Sequence, residues 1–339
     1  MKRFLTVLFI ILSFVPAVSA QGKSETVHTQ EIFAMDTYMS VKCYGKEAEE
    51  ACMAAEREIQ RLDSLLSTGK EDSEVSKINR TGSAVLSGDL KTLMEMSLEV
   101  WEKTSGAFDV TVYPLVELWG FSSKEFRVPG KEEIKETLKI TGSDKLSYDR
   151  ESGKLVLGDS QKLDFGGIAK GYTSMKLKEV FSSFDIDGAI VSLGGNVQTY
   201  GAKPDGSPWR CGIQDPFSSS GQSVIAAIEA DNLAVITSGS YERFFTGEDG
   251  KTYHHIIDPS TGYPAESDLV SVTIISKNGA EADALSTACF VMGMEKAVKL
   301  WQDSGRKYEM ILITKDGTLH ITGGLKDSFQ TNSKFEIIY

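Results

Sequence analysis

Hydrophobic and polar positions along the chain fall into blocks of different period. Residues 27–44 read as strand, loop, strand. From 46 to 66 the apolar residues Cys52, Ala55, Ile59, Leu62 and Leu66 recur at helical spacing on one face. Ser87 or Asp89 stands where a second helix would be capped; that helix runs to Thr104 and Gly106 ends it. Segments 146–148 and 154–157 flank a turn-rich 149–153 and predict a hairpin. A helix is predicted over 168–184, and strands over 189–193, 223–228, 233–237 and 269–275. Two helices follow, over 280–292 and 295–302, and the tail returns to strands, clearest at 310–313. No repeat, low-complexity tract or clear linker interrupts this order. Helix pairs between strand runs predict an α+β fold rather than regular βαβ alternation.

The first twenty residues stand apart from this pattern. Lys2 and Arg3 give a basic start, 4–18 is apolar apart from Thr6, Ser13 and Pro16, and Val18-Ser19-Ala20 ends in small residues. This is the signature of a cleaved secretory signal, and the apolar stretch is short of the roughly 20 residues a membrane span needs. Cleavage after Ala20 leaves 21–339 as the mature chain, read as one domain or as two subdomains around a cleft. Gln21 follows the cut, so no cysteine stands there to carry a lipid. The expectation is an exported protein of the periplasm or cell envelope.

Composition narrows the function classes. The chain has 339 residues, 41% hydrophobic and 25% charged, with a formal charge of −12. An acidic chain is a poor match for phosphate backbones, so no nucleic-acid partner is expected. A small anionic molecule would need help from a metal, a helix N-terminus or backbone N–H groups. The four cysteines, Cys43, Cys52, Cys211 and Cys289, match no metal spacing. Cys52 and Cys289 lie in helical patterns among small apolar residues and read as buried thiols. Export permits disulfides, but the sequence pairs none of the four.

Several segments carry candidate chemistry. Asp283, Ser286 and Thr287 share one helix face and offer hard oxygen ligands suited to Mg²⁺, with positions left for substrate phosphates. Spacing alone favours a helix cap there. Asp164-Phe165-Gly166-Gly167-Ile168-Ala169-Lys170-Gly171 is a Gly-rich turn opening a helix, whose N–H groups could face an anion beside the charge of Lys170. It is neither a Walker loop nor a dinucleotide fingerprint. Ser192-Leu193-Gly194-Gly195-Asn196 ends a strand with a second glycine pair. His254 and His255 are adjacent, so on a strand they point to opposite faces, which argues against a two-histidine zinc site. One of them can serve as a general base. Ala107-Phe108-Asp109 opens an aromatic stretch reaching Phe121; it is either core or a place where Asp109 hydrogen-bonds a base or ribose. Asn79-Arg80-Thr81 matches a glycosylation pattern too common to carry weight.

Taken in order, these segments resemble the ApbE family, the FAD:protein FMN transferases also called flavin-trafficking proteins. The resemblance spans the mature chain. It runs from Ala34-Met35-Asp36-Thr37-Tyr38-Met39-Ser40 through 108–121, 164–171 and 193–196. It continues through Ser238-Gly239-Ser240-Tyr241-Glu242-Arg243 and 254–264 to 282–287. It implies an α+β fold with mixed, largely antiparallel sheets and a flavin cleft. It also implies an enzyme that breaks the pyrophosphate of FAD with Mg²⁺, passes FMN to a Ser or Thr hydroxyl of another protein and releases AMP. Some members mainly hydrolyse FAD to FMN and AMP. By motif position, the metal ligands are Asp283 and Thr287, with Ser286 nearby and the carbonyl of Gly167. FAD contacts are Met35, Tyr38, Ala107, Phe108, Asp109, Asp164, Lys170 and Ile257, with Tyr38 near the isoalloxazine ring. His255 is the candidate catalytic histidine and His254 the second, with Asp283 also catalytic. Many relatives carry Gly where this chain has Asp36. The implied partner is an exported or membrane redox protein that accepts FMN. The alternatives are an FAD pyrophosphatase using the same site and a non-catalytic flavin carrier.

Overall fold

The computed structural model describes residues 26–218 and 223–339, so the expected signal segment lies outside the described residues. Its centre is a nine-stranded sheet. In spatial order the strands are β1 (Val27–Ala34), β2 (Thr37–Gly45), β6 (Ile186–Leu193), β7 (Asn196–Gly201), β10 (Ala234–Gly239), β13 (Leu269–Ser276), β14 (Glu309–Thr314), β15 (Leu319–Thr322) and β17 (Phe335–Ile338). Every neighbouring pair is antiparallel except β15 and β17.

Both faces of this sheet are covered, which explains its near-continuous apolar strands. In β14, Met310 and Leu312 face the helices while Ile311 and Ile313 face a second sheet, and all four are fully buried. Burying each such side chain is worth about 1.5–3 kcal/mol. The second sheet joins β16 (Phe329–Thr331), β9 (Val224–Glu229) and β8 (Arg210–Gln214). On the helical face lie α1 (Ala48–Leu66), α6 (Ala169–Phe181) and α7 (Gly279–Met292). Beside them are α3 (Gly88–Lys103) and α8 (Met294–Asp303). The predicted hairpin forms as β4 (Ser147–Asp149) and β5 (Lys154–Val156), with β3 (Ser83–Val85) on the other edge of β5.

Three helices have no counterpart in the sequence reading: α2 (Glu74–Thr81), α4 (Tyr113–Leu118) and α5 (Lys131–Lys139). The first and last bury too few residues to print a period, Val75 and Ile78 in α2 and Ile134 alone in α5. Helix α4 is too short to show one. It packs with α5 and the hairpin β11 (Phe244–Thr246), β12 (Thr252–His254) in a small aromatic lobe around Trp119. The α3 cap also differs from expectation. Ser87 is the capping residue but its hydroxyl makes no cap bond, and Asp89 instead accepts from Arg61 at 2.6 Å and Tyr172 at 2.6 Å.

The glycosylation pattern is spoken for. Asn79 Nδ2 donates to the carbonyl of Leu163 at 2.9 Å, and its Oδ1 accepts from the N–H of Leu163 at 2.6 Å. The side chain pairs with backbone as a strand neighbour would, and so holds the segment entering the Gly-rich turn. All four cysteines are free and buried, as expected of Cys52 and Cys289.

Candidate active site

The site assembles where α6 and α7 meet. Their approach depends on two glycines. A Cβ on Gly171 would stand 2.1 Å from the carbonyl oxygen of Gly279, and one on Gly279 would stand 2.7 Å from that of Gly171. No larger residue fits either place. This contact brings Asp283 to the N-terminus of α6, where its Oδ2 accepts the N–H of Gly171 at 2.8 Å. Its Oδ1 accepts Asn196 Nδ2, from the turn between β6 and β7, at 3.0 Å.

Two sequence expectations are corrected here. Asp283 does not cap its own helix: Asn278 does, by accepting the N–H of Glu281 at 3.1 Å. Asp283 sits in the second turn and instead serves the open N-terminus of α6, where a negative charge is favoured. The N–H groups of the Gly-rich turn are therefore largely taken by the protein itself. Those of Ile168 and Ala169 bond the carbonyl of Phe165, and that of Gly171 bonds Asp283.

Asp283 is 4% exposed and forms no ion pair among the described residues. Burial pushes its carboxyl up, opposed by the charge of Lys170 and the bonds from Gly171 and Asn196. Beside it is a cluster of hydroxyls. Ser238 Oγ lies 2.8 Å from Ser286 Oγ and 3.2 Å from Thr287 Oγ1. Ser286 is fully buried and donates to the carbonyl of Asp283 at 2.8 Å, so it stands behind Thr287 as a support. Gly167 faces this cluster: a Cβ there would lie 3.8 Å from Thr287 Oγ1 and 3.1 Å from Phe108 Cε2. No group of three or more His, Cys, Asp or Glu side chains able to hold a metal occurs among the described residues. What these residues offer is the Asp283 carboxylate beside neutral hydroxyl oxygens.

The two histidines separate cleanly. His254 Nε2 bonds the carbonyl of Ala265 at 3.1 Å and its ring meets Phe290 edge-on, so it is a packed structural residue. His255 is held elsewhere, against Arg243 and the edge of Phe121. Its N–H donates to the carbonyl of Arg243 at 3.0 Å, and its Nδ1 lies 3.2 Å from the same oxygen. A carbonyl only accepts, so Nδ1 carries the proton and Nε2 keeps a free lone pair. Burial and the Arg243 charge lower the His255 pKa to about 3, which leaves the ring neutral at physiological pH. Lys170 lies within electrostatic reach of both His255 and Asp283.

The other expected residues divide into those that face the site and those that build it. Asp164 accepts the N–H of Gly166 at 2.8 Å in a tight turn, and burial raises its pKa. Met35 is the first residue of the two-residue turn of the β1–β2 hairpin, and Tyr38 follows on β2, where it is 80% exposed against the edge of Phe33. Ala107 is half-buried at the margin of the main core, and Phe108 is buried behind Gly167. The Asp109 carboxylate is held by backbone and hydroxyl donors of the protein. One carboxylate oxygen accepts from the N–H and hydroxyl of Thr111 and the hydroxyl of Ser143, and the other accepts the N–H of Ser143. Ile257 packs its side chain with Leu115, Trp119 and Ile134, so it fixes the His255 loop from within.

Residues to which the sequence reading gave no role also belong here. The Arg243 guanidinium donates to the Asp36 carbonyl at 3.5 Å, so Arg243 joins the hairpin tip to His255. Glu242, whose carboxyl is pushed up by burial and drawn down by Lys170 and Arg243, adds a second carboxylate nearby. Asn196 and Arg243 both lie in segments the sequence singled out, but nothing local reveals which atoms they meet.

Comparison with known proteins identifies the family. The ApbE family profile matches residues 35–312. A FAD:protein FMN transferase of Treponema pallidum is 32% identical, over 95% of this chain and 93% of its own length. The crystal structure of the ApbE protein of Thermotoga maritima superposes with a TM-score of 0.83 at 34% identity, covering 89% of this chain and 99% of that one. The flavin transferase ApbE of Vibrio cholerae gives a TM-score of 0.79 at 30% identity, covering 90% and 99%. Fold, order of site segments and relatives agree, and the chain belongs to the ApbE family.

Proposed function

We propose that this chain is an exported FAD:protein FMN transferase, which moves FMN from FAD to a Ser or Thr hydroxyl of an envelope or membrane redox protein and releases AMP. The observation that carries this reading is that Lys170 lies within electrostatic reach of both a neutral His255, held through Nδ1 by the Arg243 carbonyl, and the buried carboxylate of Asp283.

The donor set suits Mg²⁺, which takes oxygen ligands and keeps positions for phosphates. Asp283, the hydroxyl of Thr287 and the carbonyl of Gly167 would hold it, with Ser238 and Ser286 orienting Thr287 from behind. When bound there, Mg²⁺ neutralises charge on the pyrophosphate oxygens. The chain's own residues do the rest. Lys170 and Arg243 supply positive charge that an acidic protein otherwise lacks. His255 Nε2 takes the proton of the acceptor hydroxyl as its oxygen bonds the FMN phosphorus and the bond to AMP breaks. Met35 and Tyr38 border the flavin, with Asp164 and Ala107 along the cleft.

The test uses the mature protein with FAD, Mg²⁺ and envelope proteins from cells lacking the gene, following AMP release and covalent flavin by gel fluorescence. AMP with a fluorescent protein band supports transfer. AMP with free FMN alone shifts the reading to FAD hydrolysis at the same site. Absence of AMP leaves only a flavin carrier.

A further inference from the structure

The β1–β2 turn breaks a local rule twice. Met35 and Asp36 both adopt left-handed backbone, with φ of 49° and 57°, and neither is glycine. Two-residue hairpin turns of this kind favour Asn-Gly or Gly-Gly, because a side chain in that region is strained. A second rule is broken in α1. Asp63 stands in the last turn of that helix, where the dipole disfavours a negative charge, and no basic residue accompanies it within the turn.

The two violations meet. The N–H of Met35 donates to Asp63 Oδ1 at 2.9 Å, and Lys70 holds Asp63 Oδ2 at 2.6 Å. The rest of the tip is seated from other sides. Arg243 reaches the Asp36 carbonyl, Thr173 of α6 points its hydroxyl at the Met35 sulfur at 3.9 Å, and Thr37 packs where a Cβ on Gly194 would stand 2.5 Å from its oxygen. Locally unfavourable choices that support one another mark a site where position matters more than stability.

We infer that Asp63 is a positioning residue for the flavin site: by holding the N–H of Met35 it fixes the strained turn, and with it the placement of Met35 and Tyr38 at the cleft mouth. This rests on the reading that the hairpin tip borders bound flavin.

The test is a set of variants in the mature protein, read by FAD affinity from flavin fluorescence and by kcat and KM for FAD. Asp63→Ala is expected to weaken FAD binding about tenfold and to raise KM more than it lowers kcat, the size of effect usual for a supporting residue. Asp63→Asn keeps an oxygen for Met35 and is expected to bind FAD nearly as the parent does. Adding Asp36→Gly to Asp63→Ala is expected to restore most of the affinity, because glycine takes the left-handed turn without strain. A folded Asp63→Ala with parental affinity overturns the inference, and so does failure of Asp36→Gly to rescue it. If Asp63→Ala does not fold, amide hydrogen exchange at Met35 in the parent protein decides: slow exchange is expected, and exchange as fast as an open turn overturns the role. A parent protein that binds no FAD would instead remove the flavin reading, leaving Asp63's hold on the turn to be judged from the Met35 amide.

Discussion

Gly171 on α6 and Asp283 on α7 are joined by a 2.8 Å hydrogen bond from the N–H of the first to a carboxylate oxygen of the second, although 112 positions separate them in sequence. The bond makes the Asp283 carboxylate and the Gly-rich turn a single unit. It exists only because neither Gly171 nor Gly279 carries a side chain at the helix crossing.

Gly171→Ala is therefore expected to be severe. The new methyl would lie 2.1 Å from a carbonyl oxygen and 2.6 Å from Asp283 Cβ, both parts of a packed helix that cannot yield cheaply. Overpacking of this kind costs about 1–3 kcal/mol or more. Thermal unfolding should show a drop of several degrees together with loss of FAD turnover. An unchanged melting temperature would mean that the helices can separate freely.

Asn196 orients Asp283, the carboxylate proposed to hold Mg²⁺. Asn196→Ala leaves the carboxylate without one of its two orienting bonds, and Mg²⁺ affinity measured by calorimetry in the presence of a non-hydrolysed FAD analogue should fall about 10–100-fold. Asp283→Ala should abolish metal-dependent AMP release outright. Undiminished release in that variant would remove Asp283 from the mechanism.

His255→Asn should lower turnover about 10²–10⁴-fold, the usual contribution of a positioned base, while FAD affinity stays near the parent value. The pH dependence follows from the same geometry. With its pKa depressed to about 3, His255 stays neutral well below its ordinary 6.5. In that interval the unfolded chain binds a proton that the folded one refuses. The stability tied to His255 is thus fully present above 6.5 and is lost as pH falls from there toward 3. The rate constant kcat/KM should show no acid limb from His255 near 6.5. Arg243→Gln removes the second-largest cause of the depression and should move that limb upward. A limb at 6.5 in the parent enzyme would refute the assigned environment.

Asn79 should prove structural. Asn79→Ala strips the N–H and carbonyl of Leu163 of their partners just ahead of the Gly-rich turn, and each unsatisfied backbone group costs about 1–3 kcal/mol. Asn79→Asp keeps only the acceptor and should lie between. Denaturant unfolding midpoints in that order are the check, and a stable Asn79→Ala would contradict it.

How far the sequence reached can be judged from single elements. Local pattern placed α1, α3, α6, α7 and the strands β6, β9, β10, β13 and β14 within a few residues of their observed ends, because each is a run of mostly apolar residues between polar breaks, while the core strand β7 was passed over. The same reasoning passed over α5, since a helix with Ile134 as its one buried residue has no period to detect. Motif order was enough to name the family and to select His254 and His255, Asp283 and Thr287. It ranked His255 ahead of His254 by motif position but could not foresee how each ring is held. The carbonyls of Ala265 and Arg243, on other segments, hold them. Nor could it foresee the partners of the two carboxylates, Thr111 and Ser143 for Asp109 and Gly171 and Asn196 for Asp283. The sequence by itself determined which side chains are available and which helices and strands carry them, since those depend on local spacing. The tertiary structure decided which partners each side chain meets, because hydrogen-bond partners distant in sequence come together only when the chain packs.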